Sequence, residues 1–310
     1  MSQTDSPLPR SRAKAGRHSL SGSLERVLPR LVVAPSLAVA LFFVYGYMLW
    51  TFILSLTDSG MLPQYDFIGF AQYTRLFANE RWNVAATNLV VFGGLFIILC
   101  LFLGLVLAIL LDQRIRQEGA LRTIYLYPMA LSLIVTGVVW RWILNPGLGI
   151  QSLVRSWGFE DFTFDWLVNP DMAIYALVIA AVWQASGFVM ALFLAGLRSI
   201  DDSLFKAAAL DGASLPKVYW RIVIPCLRPV VFSAVMILAH IAIKSFDLVM
   251  ALTGGGPGYA TDLPATFMYT YTFTRGEIGL GSASAIMMLC GVLAILVPYL
   301  YSELRGNKHG

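Results

Sequence analysis

Six apolar runs, each of a length that a bilayer crossing demands, punctuate this chain at residues 31–56, 86–111, 121–144, 172–197, 226–252 and 280–301. A helix needs about 20 apolar residues to cross the hydrocarbon core, where every backbone N–H and C=O must be satisfied within the segment itself. Apolar residues fill 58% of the 310 positions and charged residues 13%, with a mean hydropathy of +0.71, outside the range of ordinary soluble domains. The expected fold class is an all-α integral membrane protein with six transmembrane helices. The first run is longer than a signal-peptide core and lacks a small-residue cleavage site, so it reads as a span. Residues 1–30, rich in Ser, Arg and Lys, read as a disordered cytoplasmic tail. Residues 31–303 form the transmembrane domain and 304–310 a second cytoplasmic tail.

Basic residues orient the spans. With the N-terminus inside, 16 of the 22 lysines and arginines fall in cytoplasmic segments, and Arg75, Arg81, Arg141, Arg155, Lys244 and Arg275 fall in spans or outer loops. Cytoplasmic loops carry the basic excess, so both termini and the loop at 198–225 are expected inside. The net charge of +4 therefore reflects topology, and the expected surroundings are lipid, not nucleic acid. The outer loops at 58–85, 145–171 and 253–279 are rich in aromatics, Asn, Gly and Pro. Trp82, Trp157 and Trp166 read as interfacial anchors, with a docking surface for a soluble partner as the alternative. Cys100, Cys226 and Cys290 have no metal-site spacing, and neither a metal site nor a catalytic residue is expected. Gly93, Gly94, Gly104 and Gly187 read as positions of close helix packing.

The polar segment at 201–225 stands between two apolar runs. Asp202 or Ser203 is placed to cap a short helix with Leu204, Phe205 and Ala208 on one side, stopped by Gly212. Ser214 opens a second helix in which Leu215, Val218, Tyr219 and Ile222 form one apolar stripe, ended by Pro225. Such an element either ties two spans together or offers Ala207, Ala208 and Ala209 as a smooth face to another protein, with Asp211 and Gly212 setting the turn.

The spacing of Ala207, Ala208, Gly212, Ile222 and Pro225 resembles the EAA loop, the cytoplasmic signature of permease subunits of binding-protein-dependent ABC importers. Lys206 stands where that family usually has glutamate and Ile224 where it usually has leucine. The glutamate's ion pair with the ATPase is therefore not carried over, and Asp201, Asp202 and Asp211 are the nearby carboxylates. The likeness covers nearly all the chain from the first span. It runs through Tyr127-Pro128-Met129 to Trp140-Arg141-Trp142-Ile143-Leu144-Asn145-Pro146, then Trp183-Gln184 to Ala195-Gly196-Leu197, then Phe246-Asp247 to Thr253-Gly254-Gly255-Gly256-Pro257-Gly258. These stretches resemble the sugar-importer branch of maltose, glycerol phosphate and glucose type, and within it the glucose/mannose permeases of Gram-negative bacteria.

The resemblance implies a second homologous permease, two copies of a cytoplasmic ABC ATPase, a periplasmic sugar-binding protein and residence in the bacterial inner membrane. ATP and Mg would sit on the ATPase, leaving this chain without a cofactor and not itself an enzyme. Independently, the chain has no Gly-rich loop ending in Gly-Lys-Ser or Gly-Lys-Thr to cradle a nucleotide. The implied coupling residues are Leu204, Phe205, Lys206, Ala207, Ala208, Asp211, Gly212, Ala213, Ile222 and Pro225. The implied mechanism is alternating access, with the coupling helices rocking the fourth and fifth spans.

Charged residues inside a span point to function by default. Lys244 and Asp247, three apart on one helical face, read either as a structural ion pair or as lining of the translocation path. His240 extends the same face into a polar stripe. Trp183 and Gln184 pair an aromatic face with an amide, as sugar recognition requires, and Asn88 adds another amide; helix-to-helix bonding is the competing reading of each. Gly254, Gly255, Gly256, Pro257 and Gly258 cannot be helical and are expected at an outer gate or a binding-protein interface. Two rival functions remain: a proton-coupled secondary transporter using Lys244 and Asp247, and an intramembrane serine hydrolase using His240. The serine partner would be Ser233 or Ser245; Ser233 stands seven residues from His240 on one helix, out of hydrogen-bonding range, and no glycine-flanked nucleophile serine stands in a matching span.

Overall fold

The computed structural model describes residues 21–113 and 116–306. Among them the chain is helical, with no strand beyond a lone antiparallel bridge between Thr57 and Phe67. Contacts divide it into two units, residues 1–50 and 51–310. The helix α1 (Ser21–Ser55), whose residues up to Trp50 belong to the first unit, starts ahead of the expected span, so the tail expected at 1–30 is helical over 21–30 and otherwise lies outside the described residues. Its rings Phe43, Tyr47 and Trp50 stack in succession at centroid spacings of 6.0 and 6.3 Å. Residues 307–310 of the second tail also lie outside the described residues.

In the second unit α2 (Ala71–Ala78) leads into α3 (Glu80–Asp112). Asn79 caps α3, its Oδ1 accepting from the N–H groups of Arg81 at 3.0 Å and Trp82 at 3.4 Å. Such a cap satisfies donors that a helix start leaves orphaned. The helices α4 (Glu118–Ala130) and α5 (Leu133–Ile143) share the third apolar run and meet at a bend of 99°. Pro128 removes an N–H from the end of α4, and Leu131 and Ser132 are extended, so the run does not continue as one rod. The short α6 (Ile150–Ser156) precedes α7 (Ala173–Arg198), the central helix. Seventeen of the 26 residues of α7 are buried, as expected of a helix apolar on all sides.

The chain then runs through α8 (Asp202–Leu210), α9 (Leu215–Val218), a π-helical turn at Tyr219–Val223 and α10 (Ile224–Cys226). The fifth apolar run is divided as well. α11 (Arg228–Ile243) is tilted 64° from the segment before it, with Pro229 in its first turn, and α12 (Asp247–Leu252) restarts after a break at 244–246. The segment at 253–279, expected as a loop, contains α13 (Pro264–Tyr269) and a π-helical turn at Thr270–Thr274 before α14 (Ile278–Gly306).

By length and composition, α1, α3, α7 and α14 each suffice to cross a membrane, and the two bent pairs qualify when each is counted as one span. The main core joins α3, α7, α11 and α12, with Phe92, Phe96, Leu177, Phe193 and Leu238 among its fully buried side chains. A smaller core holds Leu76, Trp82, Phe267, Tyr271 and Leu280. Trp82 is therefore a core residue, not the interfacial anchor expected of it, because α13 lays Phe267 edge-on against it at 5.2 Å. Of the packing glycines, a Cβ at Gly104 would stand 2.6 Å from Val189 and one at Gly187 would overlap the Tyr125 carbonyl. Gly93 faces Ala242 at 3.6 Å, whereas Gly94 faces open space and needs no close partner.

Candidate functional site

A cavity of about 340 Å³ lies where the bend between α4 and α5 meets α3, α7 and α11; Phe96, Met129, Leu131, Gln184, Ile241 and Ser245 are among its lining residues. Its volume is at the lower end of small-molecule sites, roughly 300–1,000 Å³, and like them it is apolar with a few polar groups. The polar groups are positioned by the breaks. Gln184 Nε2 donates to the Leu131 carbonyl at 3.0 Å, satisfying an acceptor exposed by the bend. Ser245 donates to the Ile241 carbonyl at 2.9 Å and sits in the break between α11 and α12.

Of the residues expected to touch substrate, Gln184 lines this cavity. Trp183 packs edge-on against Trp140 at 5.9 Å and is 40% exposed, leaving much of its ring surface available. Lys244 and Asp247 flank Ser245 but do not share a helical face. Lys244 terminates α11, and Asp247 begins α12 across the break. Both are exposed, and among the described residues neither forms an ion pair. The expected polar stripe is interrupted by the same break, and His240 does not line the cavity but an apolar groove with Ile241 and with Val292, Ile295 and Leu296 of α14.

Asn88 is engaged elsewhere. Its Nδ2 approaches the carbonyls of Tyr259, Ala260 and Asp262 at 3.3, 3.1 and 3.0 Å, which ties α3 to the loop after α12. In that loop Gly254, Gly255 and Gly258 have φ of +67°, +89° and +60°, the non-helical path expected. Thr253 and Thr261 share a hydroxyl bond of 2.7 Å, and Thr261 donates to the Gly256 carbonyl at 2.9 Å. Arg81 on α3 forms an ion pair with buried Asp262. Neither residue was assigned a role from sequence; an arginine at the start of a span and an acid just beyond the glycines were the available signals.

Between α7 and α11, α8 is capped by Asp201, one residue before the expected cap, with Oδ1 accepting from the Ser203 N–H at 2.8 Å. That bond holds the Asp201 carboxyl below the usual carboxylate range. Phe205 and Ala208 turn inward onto the main core, whereas Leu204 is 42% exposed and does not share their side. Ala207 and Ala209 are exposed beside Lys206 while Ala208 is buried, so the three alanines do not form one outward face. Gly212, at φ +67°, ends the helix as expected, and the Ala213 N–H bonds back to the Ala208 carbonyl at 3.0 Å.

Val218, Tyr219 and Ile222 pack inward with Ala213; the side chain of Leu215 lies outside the described residues. Pro225 does not end this segment. It falls in the first turn of α10, where no N–H is required, and the turn lasts to Leu227. Arg198, closing α7, meets Glu118 at 2.7 Å and Asp112 at 3.6 Å, clasping the ends of α3, α4 and α7 next to α8.

A family model for binding-protein-dependent transport system inner membrane components matches residues 118–305, more than half of the chain. A xylose/arabinose import permease of Haloferax volcanii is 40% identical over 266 residues, covering 84% of this chain and 83% of the relative. A probable ABC transporter permease of Pyrococcus horikoshii is 38% identical over 280 residues, covering 90% and 96%. Among solved structures, a bacterial alginate ABC transporter in complex with an alginate pentasaccharide-bound periplasmic protein contains a chain that matches with a TM-score of 0.79. That match spans 94% of this chain and 99% of the other at 22% identity, a likeness of fold.

Proposed function

The chain belongs to the binding-protein-dependent transport system inner membrane components, and on that premise we propose that it conducts a sugar through an ATP-driven importer of the bacterial inner membrane. It is a multi-pass membrane protein and a transporter component. The observation that carries the reading is α8 with its Gly212 turn. It is an exposed helix seated on the core through Phe205 and Ala208, lying in the chain between α7 and α11, at the spacing of the EAA loop.

In this reading the two bent pairs each count as one span, giving six, with both termini and α8 in the cytoplasm. The basic excess of the inner segments supports that orientation. A second homologous permease completes the pathway. Two ATPase subunits, which hold ATP and Mg, grip α8 of this chain and its counterpart. A periplasmic binding protein delivers the sugar near the loop at 254–258. Closure of the ATPases moves α8 and α9, and with them α7 and α11, opening the cavity beside Gln184 outward; hydrolysis returns it.

The sugar class is supported by the xylose/arabinose relative and by a cavity with an amide, a hydroxyl and, nearby, the exposed indole of Trp183. Glucose or mannose is the substrate favoured by the resemblance of the sequence. The test is capture of the tagged chain from mild detergent, followed by ATPase assay with a periplasmic binding protein and candidate sugars. A co-purifying ATPase stimulated by one loaded binding protein is the expected result. A folded chain that captures no ATPase and catalyses uptake on a proton gradient alone overturns the reading.

A further inference from the structure

The glycine-rich loop is held in shape by a charged pair that reaches it from α3. Asp262, with a side chain 1% exposed, and Arg81, at 15%, are 181 residues apart in sequence and form an ion pair. The second carboxylate oxygen accepts from the Thr266 hydroxyl at 2.6 Å. The guanidinium lies 4.6 Å from the centroid of the Tyr259 ring and reaches the Thr270 hydroxyl at 3.4 Å. Arg81 thus touches the loop at Tyr259, its end at Asp262 and the turn after α13 at Thr270. Asn88, two helical turns further along α3, takes three of the loop's carbonyls. The glycines fit this arrangement: a Cβ at Gly255 would stand 3.1 Å from Asp262 Oδ1, at a φ of +89° that side chains avoid. Gly255 lets the loop backbone close over the carboxylate.

We propose that Arg81 and Asp262 are positioning residues of the outer gate, their ion pair latching the 254–258 loop to the start of α3 so that loop, α3 and α13 move as one body. A buried ion pair contributes little net stability compared with an apolar pair, but losing one partner leaves a buried charge uncompensated. The pair therefore selects one loop geometry more than it strengthens the fold. A flap anchored only at its two ends would move independently of α3, whereas a latched loop transmits each displacement of α3 to the surface that meets the delivering protein. The inference rests on the importer reading and on the loop lying on the outer side.

The test uses the full chain in complex with its partner subunits, with amide hydrogen exchange followed at 253–263 and in α7. Arg81→Ala and Asp262→Asn are expected to speed exchange in the loop by about tenfold or more, because each leaves the other partner unpaired. Exchange in α7 should stay unchanged. The reciprocal variant, Arg81→Asp with Asp262→Arg, should restore protection together with the binding-protein-stimulated ATPase that the single variants lose; a role in bulk stability alone predicts no such joint recovery. Unaltered loop exchange in both single variants overturns the proposal, as does equal loss of protection in the loop and α7. Loop exchange that rises and is rescued in a chain that captures no ATPase keeps the latch and overturns the importer reading instead.

Discussion

The side-chain amide of Gln184 on α7 donates to the carbonyl of Leu131, 53 residues earlier, at 3.0 Å. The bond stabilises the bend between α4 and α5 and places the amide at the cavity wall in one stroke. Gln184→Leu preserves the volume but strands the carbonyl, so a loss of about 1–3 kcal/mol in stability is expected. Thermal unfolding in detergent, monitored by tryptophan fluorescence, measures it. An unchanged midpoint would show that the bend holds without this bond.

Gly187 and Gly94 are both glycines of apolar helices, yet they predict opposite outcomes. A Cβ at Gly187 overlaps the Tyr125 carbonyl, whereas one at Gly94 meets nothing within 4 Å. Gly187→Ala should therefore force α4 off α7 at a cost of about 1–3 kcal/mol. Gly94→Ala should be neutral or slightly stabilising, since alanine is the better helix former. Parallel unfolding curves for the two variants decide this.

Lys244 and Asp247 stand on separate helices with no ion pair between them. Replacing each alone and both together, as Lys244→Gln and Asp247→Asn, should give stability effects that add within about 0.5 kcal/mol. Loss of uptake with stability retained is the result that a place on the translocation path requires. A coupling energy well above that limit would mean that the two charges meet in another state of the transport cycle.

Gly212 has φ +67° and open space around its Cα, so an alanine there suffers only from backbone strain, about 1–2 kcal/mol. Gly212→Asn, a residue that tolerates this conformation, should be milder. In proteoliposomes, Gly212→Ala is expected to lower sugar moved per ATP hydrolysed, and Gly212→Pro to abolish coupling. Normal coupling in Gly212→Pro would remove the turn from the mechanism.

The Asp201 carboxyl is held below its ordinary range by the Ser203 N–H. A depressed pKa means that the ionised cap contributes stability above the unfolded-state value, about pH 4, and that this contribution is lost as pH falls through the lower folded value. Fraying at the start of α8 should therefore grow below about pH 4 in the wild type and not in Asp201→Asn, which caps without ionising. Amide exchange of Leu204 and Phe205, corrected for intrinsic rates, reports it.

Composition and run length alone determined that this chain is helical and membrane-embedded, because a bilayer tolerates few other backbones and each apolar run announces its own length. Local chemistry likewise located Gly212 as the stop of α8 and the 254–258 segment as non-helical, since a left-handed φ and a glycine run are read from neighbours in sequence. Where α8 is capped, at Asp201 instead of the next two polar residues, lay within the one- or two-residue uncertainty of any helix end. The breaks were a different matter. Pro128 hinted at one, but nothing in the order of residues required the division at 244–246 that separates Lys244 from Asp247.

What each amide does was decided only by tertiary structure. Gln184 and Asn88 are both polar residues in apolar helices, and each binds whichever carbonyls the packing leaves exposed: a bend in one case, a loop in the other. The pairing of Arg81 with Asp262 has the same origin. Residues 181 positions apart have no periodicity to link them, and only the folding of the loop back onto α3 makes one the other's partner.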